Sequence, residues 1–473
     1  MKHRRLSLLS VLCVVCALSS GCGPSPGQYD YVLSAYEDII FPPSGTENAW
    51  VSIVGGDGEG TYYVSPDGND SNAGTREEPF RTLAAAVSRL QPGDRLVVRA
   101  RDPSARPVIA GRNNLICAFD ISNCRYVRLE NLEITSCNRS RFREAINGTA
   151  GPIEHVVLKN VKIHHVDEFG IDVGDVDDLQ ILDSSITYCG FGCIGGPRGE
   201  HGGLRNVVIR GCDLSYSGHY YQGGDGSLRP YDRPDGFGIE ESDGPIEIAQ
   251  TTASHNFGDG LDSKARNTFI HECTVANNSC DGIKLWGDNS RIENCLIYGR
   301  GDGDSTTTPW SPLVISTEQP NSQFTIVNCT VDDQIGNNYL MHVQYDAPDI
   351  PVQLEIANTI FSSRGQNAPV IWVSRAVTYT LASNFFFAPY DNRVLIVGDE
   401  TTFTDAEVAQ IGTGNISGNP LFVATGWGSE GDYHLQAGSP ARDSGDGVRA
   451  PAQDLDGTQR PQGAGVDIGC YEQ

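Results

Sequence analysis

A coiled stack of short strands, an all-β solenoid, is the fold class that this 473-residue chain predicts, and three observations predict it. First, Asp259-Gly-Leu-Asp-Ser-Lys264 and Asp281-Gly-Ile-Lys-Leu-Trp286 share one form and stand 22 residues apart. Second, a small polar residue followed by x-x-aliphatic recurs along the chain. It appears as Asn131-Leu-Glu-Ile, Asn160-Val-Lys-Ile, Asp183-Ser-Ser-Ile, Gly211-Cys-Asp-Leu and Glu272-Cys-Thr-Val. It continues as Asn294-Cys-Leu-Ile, Asn328-Cys-Thr-Val, Asn358-Thr-Ile-Phe and Asn384-Phe-Phe-Phe. Apolar residues within each run alternate with a period of two, which a helix cannot keep. Third, 54 glycines against 2 methionines suit a fold with many turns. The shortest steps of 22 and 23 residues mark a repeat architecture. The physical reading is a right-handed parallel β-helix of about three short strands per coil, with coils stacked roughly 4.8 Å apart.

The first residues read as an export signal. Lys2, His3, Arg4 and Arg5 form a basic start, and Leu8 to Leu18 is an apolar run too short to span a bilayer. Ser19, Ser20 and Gly21 precede Cys22, which resembles a bacterial lipobox with its Leu one place early. That resemblance implies acylation of Cys22 and a lipid anchor at the cell envelope, whereas an ordinary secretory signal is the rival. Eleven cysteines follow Cys22, so at least one stays unpaired. The formal charge of −26 becomes −29 once Lys2, Arg4 and Arg5 are removed, which argues against a nucleic-acid partner. The chain is expected to be a monomer.

Residues 23–58 are rich in Gly, Pro and Ser and read as a flexible tether. The β-helix is placed at 59–405. Tyr62-Tyr-Val-Ser-Pro-Asp-Gly reads as strand then turn, and Pro79 to Leu90 as a capping helix with Leu83, Ala86, Val87 and Leu90 on one side. This helix covers bare strand edges at the start of the stack. Asn at a fixed turn can bond the Asn one coil away. Cys212, Cys273, Cys295 and Cys329 then stack inward as small apolar residues, a geometry that suits a disulfide poorly. Residues 406–473 read as a cap on the far end. Asp454-Leu-Asp-Gly within it reads as a turn ahead of a calcium loop.

The span from about 60 to 400 resembles the pectin-lyase-like β-helix proteins. The opening Tyr62-Tyr-Val-Ser-Pro-Asp-Gly-Asn-Asp-Ser-Asn-Ala-Gly-Thr and Pro79-Phe-Arg-Thr-Leu resemble the start of exported members. Asn419-Pro-Leu-Phe, Asp432-Tyr-His-Leu, Gly438-Ser-Pro-Ala and Val466-Asp-Ile-Gly-Cys-Tyr-Glu resemble the terminal segment of bacterial surface β-helix proteins.

Aligning the glycine-led strands sets Gly170-Ile-Asp172, Gly238-Ile-Glu240, Gly260-Leu-Asp262 and Gly282-Ile-Lys284 over one another. Alternation then sends Glu240, Asp262 and Lys284 outward in one column, with Lys264 and Trp286 in a second. Adjacent carboxylates at coil spacing call for a proton or a cation between them. Lys284 is one such cation and calcium the other, with Asp259, Asp262, Asp281 and Glu241 as ligands. Only four lysines follow the signal, and Lys264 and Lys284 are two of them. A surface salt-bridge ladder is the competing reading. Loops 215–235 and 299–311 carry Tyr216, His219, Tyr220, Tyr221, Tyr231 and Trp310. They are placed beside the columns as faces for sugar rings, with simple loop packing as the rival.

Asp259-Gly-Leu-Asp-Ser-Lys264 with Cys280-Asp-Gly-Ile-Lys284 resembles the motif of family 9 polysaccharide lyases. The resemblance implies calcium held by Asp259 and Asp281. Cys280 and Lys284 stand where two further ligands occur, and no lysine follows to match the family's base. A weaker likeness to family 6 lyases rests on Lys264 and Lys284 about one coil apart. Both imply β-elimination on a uronic acid polysaccharide. Lys264 is then the base, its pKa lowered by Lys284 or calcium, and Lys284 or Arg266 neutralises the substrate carboxylate. Trp286, Glu240, Tyr220, Tyr221 and Trp310 are the expected substrate contacts. Two other readings stand beside this one: a glycoside hydrolase using Glu240, Asp259 and Asp262, and a non-catalytic surface protein that binds carbohydrate.

Overall fold

The computed structural model describes residues 49–55 and 60–473, except 90–93, 101–105, 111–115, 137–142, 222–233, 300–310, 334–338, 366–368 and 427–429. The export signal with Cys22, and also Leu90, Tyr231, Trp310 and the side chain of Val87, lie outside the described residues. Two compact units are formed, one by residues 1–208 with 220–230, the other by 209–219 with 231–473. Each is built from the same three-strand coil.

In the first unit, the parallel strands Arg125–Glu130, Ile153–Lys159 and Val176–Leu182 make one sheet. Strands from Val108–Ala110 to Ser185–Cys189 make a second, and strands from Cys117–Asp120 to Gly192–Gly196 a third. The short helix Leu83–Val87 buries Leu83 and Ala86. Residues Ala49–Gly55, expected to be flexible tether, instead form a strand antiparallel to Arg95–Ala100 and Arg125–Glu130. The sequence Ala-Trp-Val-Ser-Ile-Val-Gly has the β-branched and aromatic content of a strand.

The second unit repeats the coil more regularly. Six strands from Ile246–Ala249 to Val377–Ala382 form one parallel sheet. A second runs from Asp213–Ser215 to Ile416–Ser417. A third runs from Phe237–Ser242 to Arg393–Val397. Inward columns such as Ile270–Ile292–Ile326–Ile356 and Leu261–Ile283–Leu313–Met341–Ile371 are buried, each side chain contributing about 1.5–3 kcal/mol.

The recurrent Asn occupies the turn between two of these sheets. Asn294, Asn328 and Asn358 have φ of 48°, 50° and 51°, the left-handed region that Asn tolerates better than most residues. Asn358 Nδ2 donates to Asn328 Oδ1 at 3.0 Å, so the expected ladder forms there. In the last coil the turn residue is Ser383, with φ 53°, and Asn384 takes the inner place that Cys or Thr holds elsewhere. Cys273, Cys295 and Cys329 are buried free thiols, each donating to the carbonyl two residues back.

The expected terminal cap divides in two. Thr401–Thr404, antiparallel to Arg393–Val397, and the 3-10 turn Asp405–Gln410 close the end of the stack. The remaining residues run back along the side of the second sheet. Leu435, Ala441 and Ile468 pack on Ile360 and Phe385, and Tyr433 and Cys470 on Ala276, Leu296 and Tyr298. Asn328 Nδ2 donates to Asp467 O and Gly469 O, so this strap reads the Asn turns directly. Asp454 accepts the amides of Asp456, Thr458 and Glu472, which makes Asp454-Leu-Asp-Gly a turn. Arg460 and Glu472 form a fully buried pair at 3.0 Å. Arg460→Met strands the Glu472 charge and is expected to cost about 3–5 kcal/mol. Thermal melting with limited proteolysis of the strap checks this, and an unchanged melt would refute it.

Candidate functional site

Three Asp-Gly-apolar turns stack in the second unit: Asp235-Gly-Phe, Asp259-Gly-Leu and Asp281-Gly-Ile. Each carboxylate accepts the backbone amide one coil on. Asp235 Oδ1 takes Asp259 N at 2.7 Å, Asp259 Oδ1 takes Asp281 N at 2.8 Å, and Asp281 Oδ1 takes Ser311 N at 3.0 Å. The glycine lets the coils close: a Cβ on Gly282 would sit 2.4 Å from Pro312 O. These bonds fix one oxygen of each carboxylate, and the second oxygens of Asp259 and Asp281 turn to Lys284.

The next outward column reads Gly238–Asp262–Lys284–Val314–His342–Trp372. Gly238 therefore pairs with Asp262, two places from the alignment that sequence suggested. The register also slips between Ile239 and Ser242. Glu240 consequently leaves the Asp262 column and meets Lys264, whose Nζ lies 2.5 Å from Glu240 Oε1. Glu241 lies exposed at the same slip, and the carboxylate beside Asp259 and Asp262 is Asp235. A Cβ on Gly238 would fall 2.4 Å from Asp235 Oδ2, so the glycine opens the space that this carboxylate fills.

Oxygens of Asp235, Asp259 and Asp262 all lie within 4.8 Å of one another. Lys284 is wedged beside them, its Nζ 3.6 Å from Asp259 Oδ2 and 3.4 Å from Asp281 Oδ2. Burial works against its charge, but the Asp259, Asp262, Asp281 and Asp235 carboxylates outweigh it and raise the Lys284 pKa. With its side chain only 8% exposed, Lys284 serves as an internal counter-ion, and a substrate carboxylate would have to displace aspartates to reach it. Burial first, then Asp259, raises Asp235 and Asp281 well above ordinary carboxylates. The same causes push Asp262 up to about 7.

Lys264 is the more accessible amine, its side chain 27% exposed. Its neighbours are Glu240 and the Trp286 ring, whose centroid is 5.9 Å from its Nζ. Its ion-pair partner is thus a carboxylate, where the sequence suggested a cation. Lys284 Nζ is 5.3 Å from the same ring, and Trp286 Nε1 donates to Asp262 Oδ1 at 2.9 Å. Trp286 thus ties the lysines to the carboxylate cluster through cation–π and hydrogen-bond contacts. Arg266 is exposed at the turn after Leu261–Ala265.

Of the expected aromatic contacts, Trp286 lies at the carboxylate cluster and Trp310 falls outside the described residues. Tyr220 packs edge-on against His165, and Tyr221 stacks on Phe191, contacts within the first unit. Sequence reasoning missed Asp235, though its Asp-Gly-Phe repeats the same turn 24 residues before Asp259. It also missed His342 and Trp372 in the Lys284 column.

Asp262 gives a pH signature. Its pKa moves from 3.8 to about 7 on folding, so between those values the folded chain keeps a proton that the unfolded chain releases. Its contribution to stability is therefore lost as pH rises through that window. Asp262→Asn removes this dependence. In chelator, the variant should melt several degrees above wild type at pH 8 and gain less at pH 5. Parallel melting curves across that range contradict the assignment.

Residues 200–386 match a family model described as a right handed beta helix region. The "Uncharacterized protein YwoF" of Bacillus subtilis (strain 168) is 25% identical over 156 residues, 33% of this chain and 30% of that protein. The alignment thus spans under a third of that relative's length. Among solved structures, XylC in complex with xylose superposes with a TM-score of 0.53 at 10% identity, over 87% of this chain and 98% of that one. Pectate lyase Pel9A superposes with 0.47 at 14% identity, over 89% and 98%. A rhamnogalacturonan lyase gives 0.44 at 14%, over 77% and 91%. Strand register, family match and superposition agree: the chain is a right-handed parallel β-helix protein.

Proposed function

We propose that this is an exported carbohydrate-active enzyme, a lyase that cleaves a uronic-acid-containing polysaccharide by β-elimination. The observation that carries the reading is an accessible amine, Lys264, on the same sheet face as Trp286 and a cluster of three carboxylates. Lys264 passes its proton to Glu240 and, as the neutral amine, takes the proton beside the uronate carboxyl group. The released electron pair forms the ring double bond, the bond to the leaving oxygen breaks, and that oxygen takes a proton from solvent. Arg266, exposed one turn on, faces the substrate carboxylate. That pectate and rhamnogalacturonan lyases share this fold is consistent with the reading, as fold alone serves many chemistries.

The donor set of Asp235, Asp259 and Asp262 fits calcium. It offers only hard oxygen ligands, and burial together with the neighbouring carboxylates raises Asp235 and Asp262, a crowding of negative charge that a divalent cation would relieve. Asp281, expected as a ligand, is turned to Lys284 and the Ser311 amide, and Glu241 lies apart at the register slip. Held by Asp235, Asp259 and Asp262, calcium would supply positive charge beside the substrate carboxylate. The lipobox-like run before Cys22 supports an envelope location through a lipid anchor, with secretion as the alternative.

A hydrolase is the second reading, favoured by one observation: Asp262, protonated near neutral pH, lies beside the Asp259 carboxylate, as a glycosidase acid lies beside its partner. Incubation with pectate, alginate and mixed uronans, with and without calcium, separates the two. New ultraviolet absorbance from an unsaturated product is expected. New reducing ends without that absorbance would establish hydrolysis, and neither signal would leave a binding protein.

A further inference from the structure

The three candidate calcium ligands are not held alike. Asp235 and Asp259 stand at turns, and each is oriented by backbone, accepting the amide of the aspartate one coil on. Asp262 stands inside the strand Leu261–Ala265, which is paired on both sides. Amides in such a strand are committed to the ladder. The orienting bond comes from a side chain instead: Trp286 Nε1 donates to Asp262 Oδ1 at 2.9 Å. An indole N–H can only donate. The contact therefore lasts only while Asp262 presents Oδ1 to it, and the rotation of the carboxylate is fixed.

Trp286 reaches this place from the next coil. Asp262 pairs with Lys284 and Ser263 with Leu285, so Trp286 follows in register with Lys264. Trp286 N donates to Ser263 O at 3.0 Å, which pins the backbone of the indole to that coil. The half-buried side chain then leans back to Asp262. In doing so it brings its ring to 5.9 Å from Lys264 Nζ and 5.3 Å from Lys284 Nζ. Lys284 is already fixed between Asp259 and Asp281. Lys264 is not: its ion-pair partner Glu240 is half exposed, and such a pair defines position poorly. The ring is the firmer of its two contacts, because the N–H of that ring is bonded to a buried carboxylate.

We infer that Trp286 is the positioning residue of this site: its N–H sets the carboxylate of Asp262 as a cation ligand, and its ring sets the amine of Lys264. One side chain thereby couples the cation site to the base. This rests on the lyase and calcium readings above and adds the residue that joins them.

Trp286→Phe and Trp286→Leu separate the two roles, since Phe keeps a ring without the N–H and Leu keeps neither. Calorimetric titration with calcium alone should show both variants binding about 10–100-fold more weakly than wild type. The indole fluorescence of wild type should change on adding calcium, and that change should be missing from both variants. At saturating calcium, kcat on a uronan should be about tenfold lower in Trp286→Leu than in Trp286→Phe, with KM alike in all three proteins. Calcium affinity in Trp286→Phe equal to that of wild type overturns the inference. So does wild-type fluorescence that ignores calcium, a result that needs no variant to fold. A rise in KM at constant kcat makes Trp286 a sugar contact and overturns it as well. If wild type binds no calcium, the cation reading fails and takes this inference with it. If calcium binding weakens as expected but no uronan is cleaved, the lyase reading and the role toward Lys264 fail, while the hold on Asp262 stands.

Discussion

Lys264→Met should reduce turnover of a uronan by about 10³-fold, the scale expected on losing a general base, while the protein melts within about a degree of wild type. The two halves of the result follow from one contact. Lys264 lies on the surface, and its pair with Glu240, itself half exposed, contributes little to stability. Its loss should therefore appear in kcat without a fall in folded protein. Stopped assays of unsaturated product, alongside a thermal melt, measure both at once. Glu240→Gln is the informative companion. It frees the amine of its resting partner, and its effect on the pH profile should be opposite in sign to any change caused by loss of folding. Turnover unchanged in Lys264→Met would remove the base from the mechanism and return attention to the Asp259–Asp262 pair.

Lys284→Met should act on folding. This ammonium sits at 3.4 and 3.6 Å from two buried aspartates, and no other cation is seen on them among the described residues. Truncating it leaves carboxylates buried without a counter-charge, at a cost of about 3–5 kcal/mol or roughly a 10 °C fall in melting temperature. Added calcium should recover more stability in this variant than in wild type, because the cation enters a more negative cluster. Pairing Lys284→Met with Asp281→Asn should cost less than the sum of the two, since each removes the other's partner. Additive losses would mean that Lys284 and Asp281 do not interact across their 3.4 Å separation.

The coil itself was legible because its signal is repeated and chemically simple. Every turn Asn in a left-handed conformation and every inward Ile, Leu or Val reports the same geometry again, so errors at one coil are corrected by the next. The carboxylate cluster was partly legible. Asp259, Asp262 and Asp281 come from coils of even length, where counting residues is the same as counting rungs. Glu240 was misplaced for a local reason. The glycine taken as the start of its strand, Gly238, is two residues beyond the equivalent Gly236, and the extra residue at the slip then shifts everything after it. The motif that would have fixed this, Asp235-Gly-Phe, ends in an aromatic residue that fills the same inward place as Leu261.

The stacked aspartates also separate two lengths that proteins usually couple. Asp259 and Asp281 are 22 residues apart and Asp281 and Ser311 are 30, yet the carboxylate-to-amide contacts are 2.8 and 3.0 Å. Eight additional residues change that distance hardly at all, because the spacing is imposed by interstrand pairing. Such a scaffold can lengthen, shorten or exchange the segments between its strands, and with them what it recognises, while the reacting groups keep their positions.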